Sequence, residues 1–118
     1  AQIKEDGSLN NQEALNPFDV FSLYMYVWAG EDYETLYAFY PEGSMELSVE
    51  EFVGQNRKEE NIEPHREFMR KFNEVRDFIL VVKENNATVE FTLEGEETLT
   101  FQLMKEGNVW HAMPTPLQ

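Results

Sequence analysis

The spacing of apolar and polar residues changes twice along this chain, and each change predicts a different kind of element. Residues 1–16 are polar and acidic with no apolar period, so they read as a flexible acidic tether ahead of one folded unit over residues 17–118. At Asn16 the pattern starts. Asn16 is a helix cap, Pro17 has the backbone angle favoured at a first helical position, and Asp19 complements the helix N-terminus. Phe18, Phe21, Tyr24 and Trp28 then recur at helical spacing with Val20, Leu23 and Val27 beside them, which predicts a helix central to the core. Gly30 is expected to end it by taking a left-handed conformation.

Asp32 is the expected cap of a short second helix over Tyr33–Tyr40, closed by Pro41. In Leu47-Ser48-Val49-Glu50-Glu51-Phe52, Ser48 and Glu51 have capping-box spacing, and Leu47 and Phe52 stand where a hydrophobic staple would clamp the turn. This predicts a third helix from Val49 to about Lys58. Pro64 is expected to open a fourth, with Phe68, Met69 and Phe72 on one face.

Beyond residue 74 the period moves towards two. Phe78–Val82 is a nearly unbroken apolar run, the signature of a strand covered on both faces. Glu84-Asn85-Asn86 is turn chemistry. Val89, Phe91 and Leu93, then Leu99, Phe101 and Leu103, alternate with polar neighbours as half-buried antiparallel strands do, with Gly95 between the runs. After a turn at Glu106-Gly107-Asn108, a short strand over Val109–Met113 is expected to stop at Pro114 and Pro116. Helices followed by a meander of four strands make an α+β fold, the helices packed on a curved antiparallel sheet.

Composition narrows the function. The chain has 118 residues, 23 acidic against 9 basic, for a net charge of −14. That charge would repel a polyphosphate backbone, and no basic stripe offsets it, so nucleic acid is not an expected partner. No apolar run is long enough for a membrane span. The charge is also uneven: residues 1–63 carry net −11 and residues 64–118 net −3, so the helical half is the negative half. With no cysteine, there is no disulfide, thiolate metal site or cysteine nucleophile. His65 and His111 are the only histidines and lie far apart, which argues against a metal site, and no motif implies a cofactor. His65 reads as a surface residue at a helix start.

Ala29-Gly30-Glu31-Asp32-Tyr33-Glu34-Thr35-Leu36-Tyr37, Ser48-Val49-Glu50-Glu51-Phe52, Asn86-Ala87-Thr88-Val89-Glu90-Phe91 and Lys105-Glu106-Gly107-Asn108-Val109-Trp110-His111 together resemble the nuclear transport factor 2-like, cystatin-like superfamily of cone-shaped α+β rolls. Within it, the chain is most similar to small non-catalytic domains of Gram-positive exported lipoproteins and to the N-terminal domain of class B penicillin-binding proteins. The resemblance implies an extracytoplasmic, lipoprotein or secreted setting, a small-molecule or protein ligand, and a possible homodimer through the sheet. Tyr24, Trp28, Tyr37, Asp77, Trp110 and His111 are the candidate lining of a ligand pocket in the cone. The superfamily also includes ketosteroid-isomerase-like enzymes with a carboxylate base and a Tyr donor, roles for which Asp77 and Tyr24 or Tyr26 are the candidates here. Most of these rings have an ordinary core role to play, so the non-catalytic reading leads, with no catalytic residue assigned.

Overall fold

Helix α1 (Pro17–Ala29) begins where the Asn16 side chain accepts a hydrogen bond from the Asp19 N–H at 2.8 Å. The computed structural model describes residues 16–117, so the tether expected over residues 1–16 lies, Asn16 apart, outside the described residues. The end of α1 corrects the expectation for Gly30. Gly30 is right-handed, with φ −79°, and Glu31 takes the left-handed conformation, with φ 59°. The hydrogen bonds give the reason: Asp32 N–H donates to the Val27 carbonyl and Glu31 N–H to the Trp28 carbonyl, a Schellman closure in which the residue after Gly30 must be left-handed.

Helix α2 (Tyr33–Tyr37) is capped by Asp32 but stops three residues short of Tyr40. From Ala38 to Tyr40 the N–H groups bond three residues back, tightening the chain into turns that bury Phe39 and Tyr40. The Phe39 carbonyl then accepts from Ala112 N–H at 2.9 Å, docking this segment on the last strand. Helix α3 (Val49–Asn56) carries the full capping box: Glu51 N–H donates to Ser48 Oγ at 3.2 Å and Ser48 N–H to Glu51 Oε1 at 3.0 Å. It ends two residues before Lys58, with Arg57 as its cap. Helix α4 (Glu59–Phe72) starts earlier than expected and holds Pro64 in its interior. The acidic first turn, Glu59 and Glu60, favours this earlier start, against the cost of Pro64, which removes an N–H from the ladder and crowds the carbonyl four residues before it.

Strands β1 (Ile79–Lys83), β2 (Asn86–Thr92), β3 (Thr98–Glu106) and β4 (Val109–Leu117) form one antiparallel sheet in chain order. The fold is α+β, with the helices N-terminal to the strands. Val89 faces Phe101 and Phe91 faces Leu99 across β2 and β3, and the inward set Ala87, Val89, Phe91, Phe101 and Leu103 is buried, as the alternation predicts. Two strand expectations change. β4 continues through Pro114 and Pro116 to Leu117, with a register shift opposite Phe101–Leu103; it is an edge strand, where a missing N–H is tolerated. β1 is not covered on both faces: all five of its residues are exposed. Helix α1 packs on β2, β3 and β4, and β1 is the strand at the sheet's other edge.

Rings fill the space between α1 and the sheet. Phe21 has the rings of Phe101, Phe78, Phe91 and Phe72 around it at centroid distances of 5.1 to 6.1 Å. Tyr24 stands edge-on to Phe101 at 4.9 Å and to Phe39 at 5.5 Å. Burying rings of this size is the main stabilising contribution open to a domain with no disulfide, and edge-to-face pairs add about 0.5–1.5 kcal/mol each.

Candidate functional site

The turns after α2 and the outer part of β4 enclose a pocket of about 390 Å³ lined by Tyr37, Tyr40, Pro41, Glu42, Met45 and His111, among others. The sequence makes it in two steps. Pro41 ends the α2 region and Gly43, at φ 78°, turns the chain back with Ser44 N–H on the Pro41 carbonyl; docking of Phe39 on Ala112 then brings this loop against His111. Tyr37 and Tyr40 present rings there, because their hydroxyls are already used. Tyr37 donates to the Leu47 carbonyl at 2.6 Å, and the Tyr40 hydroxyl meets that of Tyr24. Nδ1 of His111 is buried and, among the described residues, has no hydrogen-bond partner; the same holds for Oγ of Ser44 on the loop. Tyrosine rings, Pro41 and Met45 beside a histidine with an unsatisfied nitrogen are the composition of a small-ligand site.

The six candidate residues divide among several places. Tyr37 and His111 share the pocket, and Tyr24 reaches it only through Tyr40. Tyr24 is buried at mid-α1, and burial, followed by the neighbouring Tyr40, raises its pKa well above the ordinary tyrosine value; burial also raises that of Tyr40. Trp28 packs instead on α4, its ring 5.2 Å from both His65 and Phe68. Trp110 is buried, with the Lys105 ammonium 6.0 Å from its ring centroid. Asp77 is exposed and lines a separate open groove of about 830 Å³ with Lys71, Arg76, Glu90 and Glu94. Tyr26 is 78% exposed, so neither Tyr on α1 meets Asp77 in one cavity.

Two features escape the sequence. His65 lies in the middle of α4 rather than at a helix start, half-buried between Trp28 and Tyr33, with Nε2 enclosed and unpartnered among the described residues. The pairing of Tyr24 with Tyr40 has no local signal, since the residues are sixteen apart. Gly43 and Met45 in the pocket wall escape the sequence too: Gly43, two residues after Pro41, carries turn chemistry that could have found it, and Met45 has no local signal. Among the described residues, no three His, Asp or Glu side chains converge as a metal ion requires, and no helix is long and apolar enough to cross a membrane. No family model matches the chain, and neither the curated proteins nor the solved structures include a significant match.

Proposed function

We propose that this domain is a non-catalytic binding module whose site is the pocket between the loop after α2 and strand β4, taking a small aromatic ligand that carries one polar group. The observation that carries this reading is the convergence of Tyr37, Tyr40, Met45 and His111 on one recess, together with a His111 Nδ1 that is buried and, among the described residues, unpartnered. A flat ring fits against the tyrosines and Met45, and its hydroxyl or amino group satisfies the imidazole nitrogen. The packed rings around Phe21 and Tyr24 support a site at the perimeter rather than deep between helices and sheet.

The isomerase-type alternative has less support. A general base has to stand within reach of the proton it takes, beside a donor for the developing charge. Asp77 is solvent-exposed on another groove, and the Tyr24 hydroxyl is engaged with Tyr40.

Titration with phenol, followed by backbone amide chemical shifts, tests the proposal. Shifts concentrated on Tyr37, Tyr40, Gly43 and His111, and much reduced in His111→Ala, support it; shifts scattered over the surface or centred on the Asp77 groove overturn it. We further propose that the module belongs to an exported or surface-anchored bacterial protein, a reading supported by the cone-domain resemblance of its sequence. Antibody labelling of intact cells checks this, and labelling that requires lysis refutes it.

A further inference from the structure

The two edges of the sheet are finished differently. At the β4 edge, Ala112 N–H is bonded to the Phe39 carbonyl, and Pro114 and Pro116 bring no N–H at all. The β1 edge has neither protection. Ile79, Leu80, Val81 and Val82 are 58, 41, 41 and 49% exposed, a contiguous aliphatic run with no proline and, among the described residues, no strand beyond it. A strand of this kind is a template for another strand.

From this we infer that β1 is a self-association edge, pairing antiparallel with β1 of a second copy of the chain. Charge complementarity selects this occupant. Along β1, backbone groups turn alternately towards β2 and towards the free edge, so residues facing each other in a two-fold pair have numbers of like parity. With Leu80 opposite Leu80, Ile79 faces Val81 within the strand, and Asp77, two residues ahead of β1, comes level with Lys83 at its end. The neighbouring allowed registers lose this match: one sets Asp77 against Val81, the other sets Ile79 against Lys83. The segment holds two bases and two acids between Arg76 and Glu84, so two copies meet on a neutral strip although each chain carries −14 overall. Two-fold pairing gives one continuous eight-stranded sheet from the two four-stranded ones. Its outer edges are then both β4, blunted by the prolines, and growth stops at two copies.

Sedimentation velocity and equilibrium on the full chain, across micromolar to submillimolar concentrations, test the inference. The expected result is a concentration-dependent dimer that Val81→Lys abolishes, with the circular dichroism spectrum unchanged because Val81 is exposed. Asp77→Lys alone places Lys against Lys83, and Lys83→Asp alone places Asp against Asp77; each is expected to weaken the dimer about tenfold or more, while the double reversal restores it. A strict monomer overturns the inference, as would one that recruits only an unrelated extended peptide to β1. So does a dimer that survives Val81→Lys, a double variant as weak as the singles, or assembly continuing beyond two copies. The phenol titration is independent of these outcomes, since His111 and Tyr37 lie at the other edge of the sheet.

Discussion

The hydroxyls of Tyr24 and Tyr40 lie 2.5 Å apart inside the protein and tie the middle of α1 to the turns that follow α2. Either Tyr24→Phe or Tyr40→Phe leaves a buried hydroxyl without its partner, which costs about 1–3 kcal/mol, while the double Phe variant removes both groups and is expected to lose less than the sum. Urea unfolding of the four proteins measures this cycle; strictly additive losses would rule out coupling. The same pair sets the alkaline limit. Burial raises both phenol pKa values above the ordinary 10.0, so the fold favours the neutral rings. Their contribution is complete below about pH 10 and declines as the pH rises further, and phenolate absorbance from these two residues should appear together with unfolding.

His65 gives the opposite pH response. Burial lowers its pKa below the ordinary 6.5, with Arg66 adding to the effect and Glu31 and the Trp28 carbonyl opposing it. The fold therefore favours neutral imidazole. Stability from this site is complete above about pH 6.5 and falls as acid takes the pH below it, until His65 protonates in the folded state. The urea midpoint should drop between about pH 7.5 and pH 5.5 in the native chain and drop less in His65→Gln. An unchanged slope in the variant would remove His65 from this role.

The carboxylates respond in a lower range. Hydrogen bonds from the Ser48 backbone and side chain lower the Glu51 pKa, and the Arg70 guanidinium lowers that of Glu67. Their effect starts to fade only as the pH falls below about 4.5, so the step assigned to His65 is separable. Ser48→Ala deletes half of the box at the start of α3 and is expected to cost about 1 kcal/mol, read from the thermal midpoint. A loss well under this would mean that Phe52 packing alone holds the helix start.

Glu31 holds a left-handed conformation, with φ 59°, that side chains with a Cβ adopt at a cost. Glu31→Gly should raise stability by up to about 1 kcal/mol, with the Schellman closure kept, whereas Gly30→Ala at the right-handed position should change little. If Gly30→Ala proved the more damaging of the two, the assignment of the closure would be wrong. The Cβ added at Gly30 would meet only backbone carbonyls at ordinary contact distance, 3.6 Å.

Local chemistry made much of the fold legible. Asn16, Asp32 and Ser48 each act within three residues on the same chain, so the starts of α1, α2 and α3 are readable without tertiary information. Val89, Phe91, Phe101 and Leu103 are likewise readable because a strand's side chains alternate whatever packs on them. Pro64 misled because proline is a strong start signal, and its interior place in α4 rests on an acidic turn ahead of it that continues as helix.

The candidate site was only partly legible. Tyr37 and His111 were readable as chemistry-bearing residues, but their meeting depends on the Phe39 carbonyl finding Ala112, a contact between segments more than seventy residues apart. An apolar run such as Ile79–Val82 has the same composition whether it lies under a helix or at an uncovered edge. The sequence by itself determined which segments are helix and strand and which side chains turn inward, since those follow from neighbours along the backbone. Tertiary structure alone decided how far α1 reaches across the sheet, which rings fill the interior, and which polar atoms are left without partners. Coverage and partnership depend on where distant segments come to rest, and no spacing between adjacent residues encodes that distance.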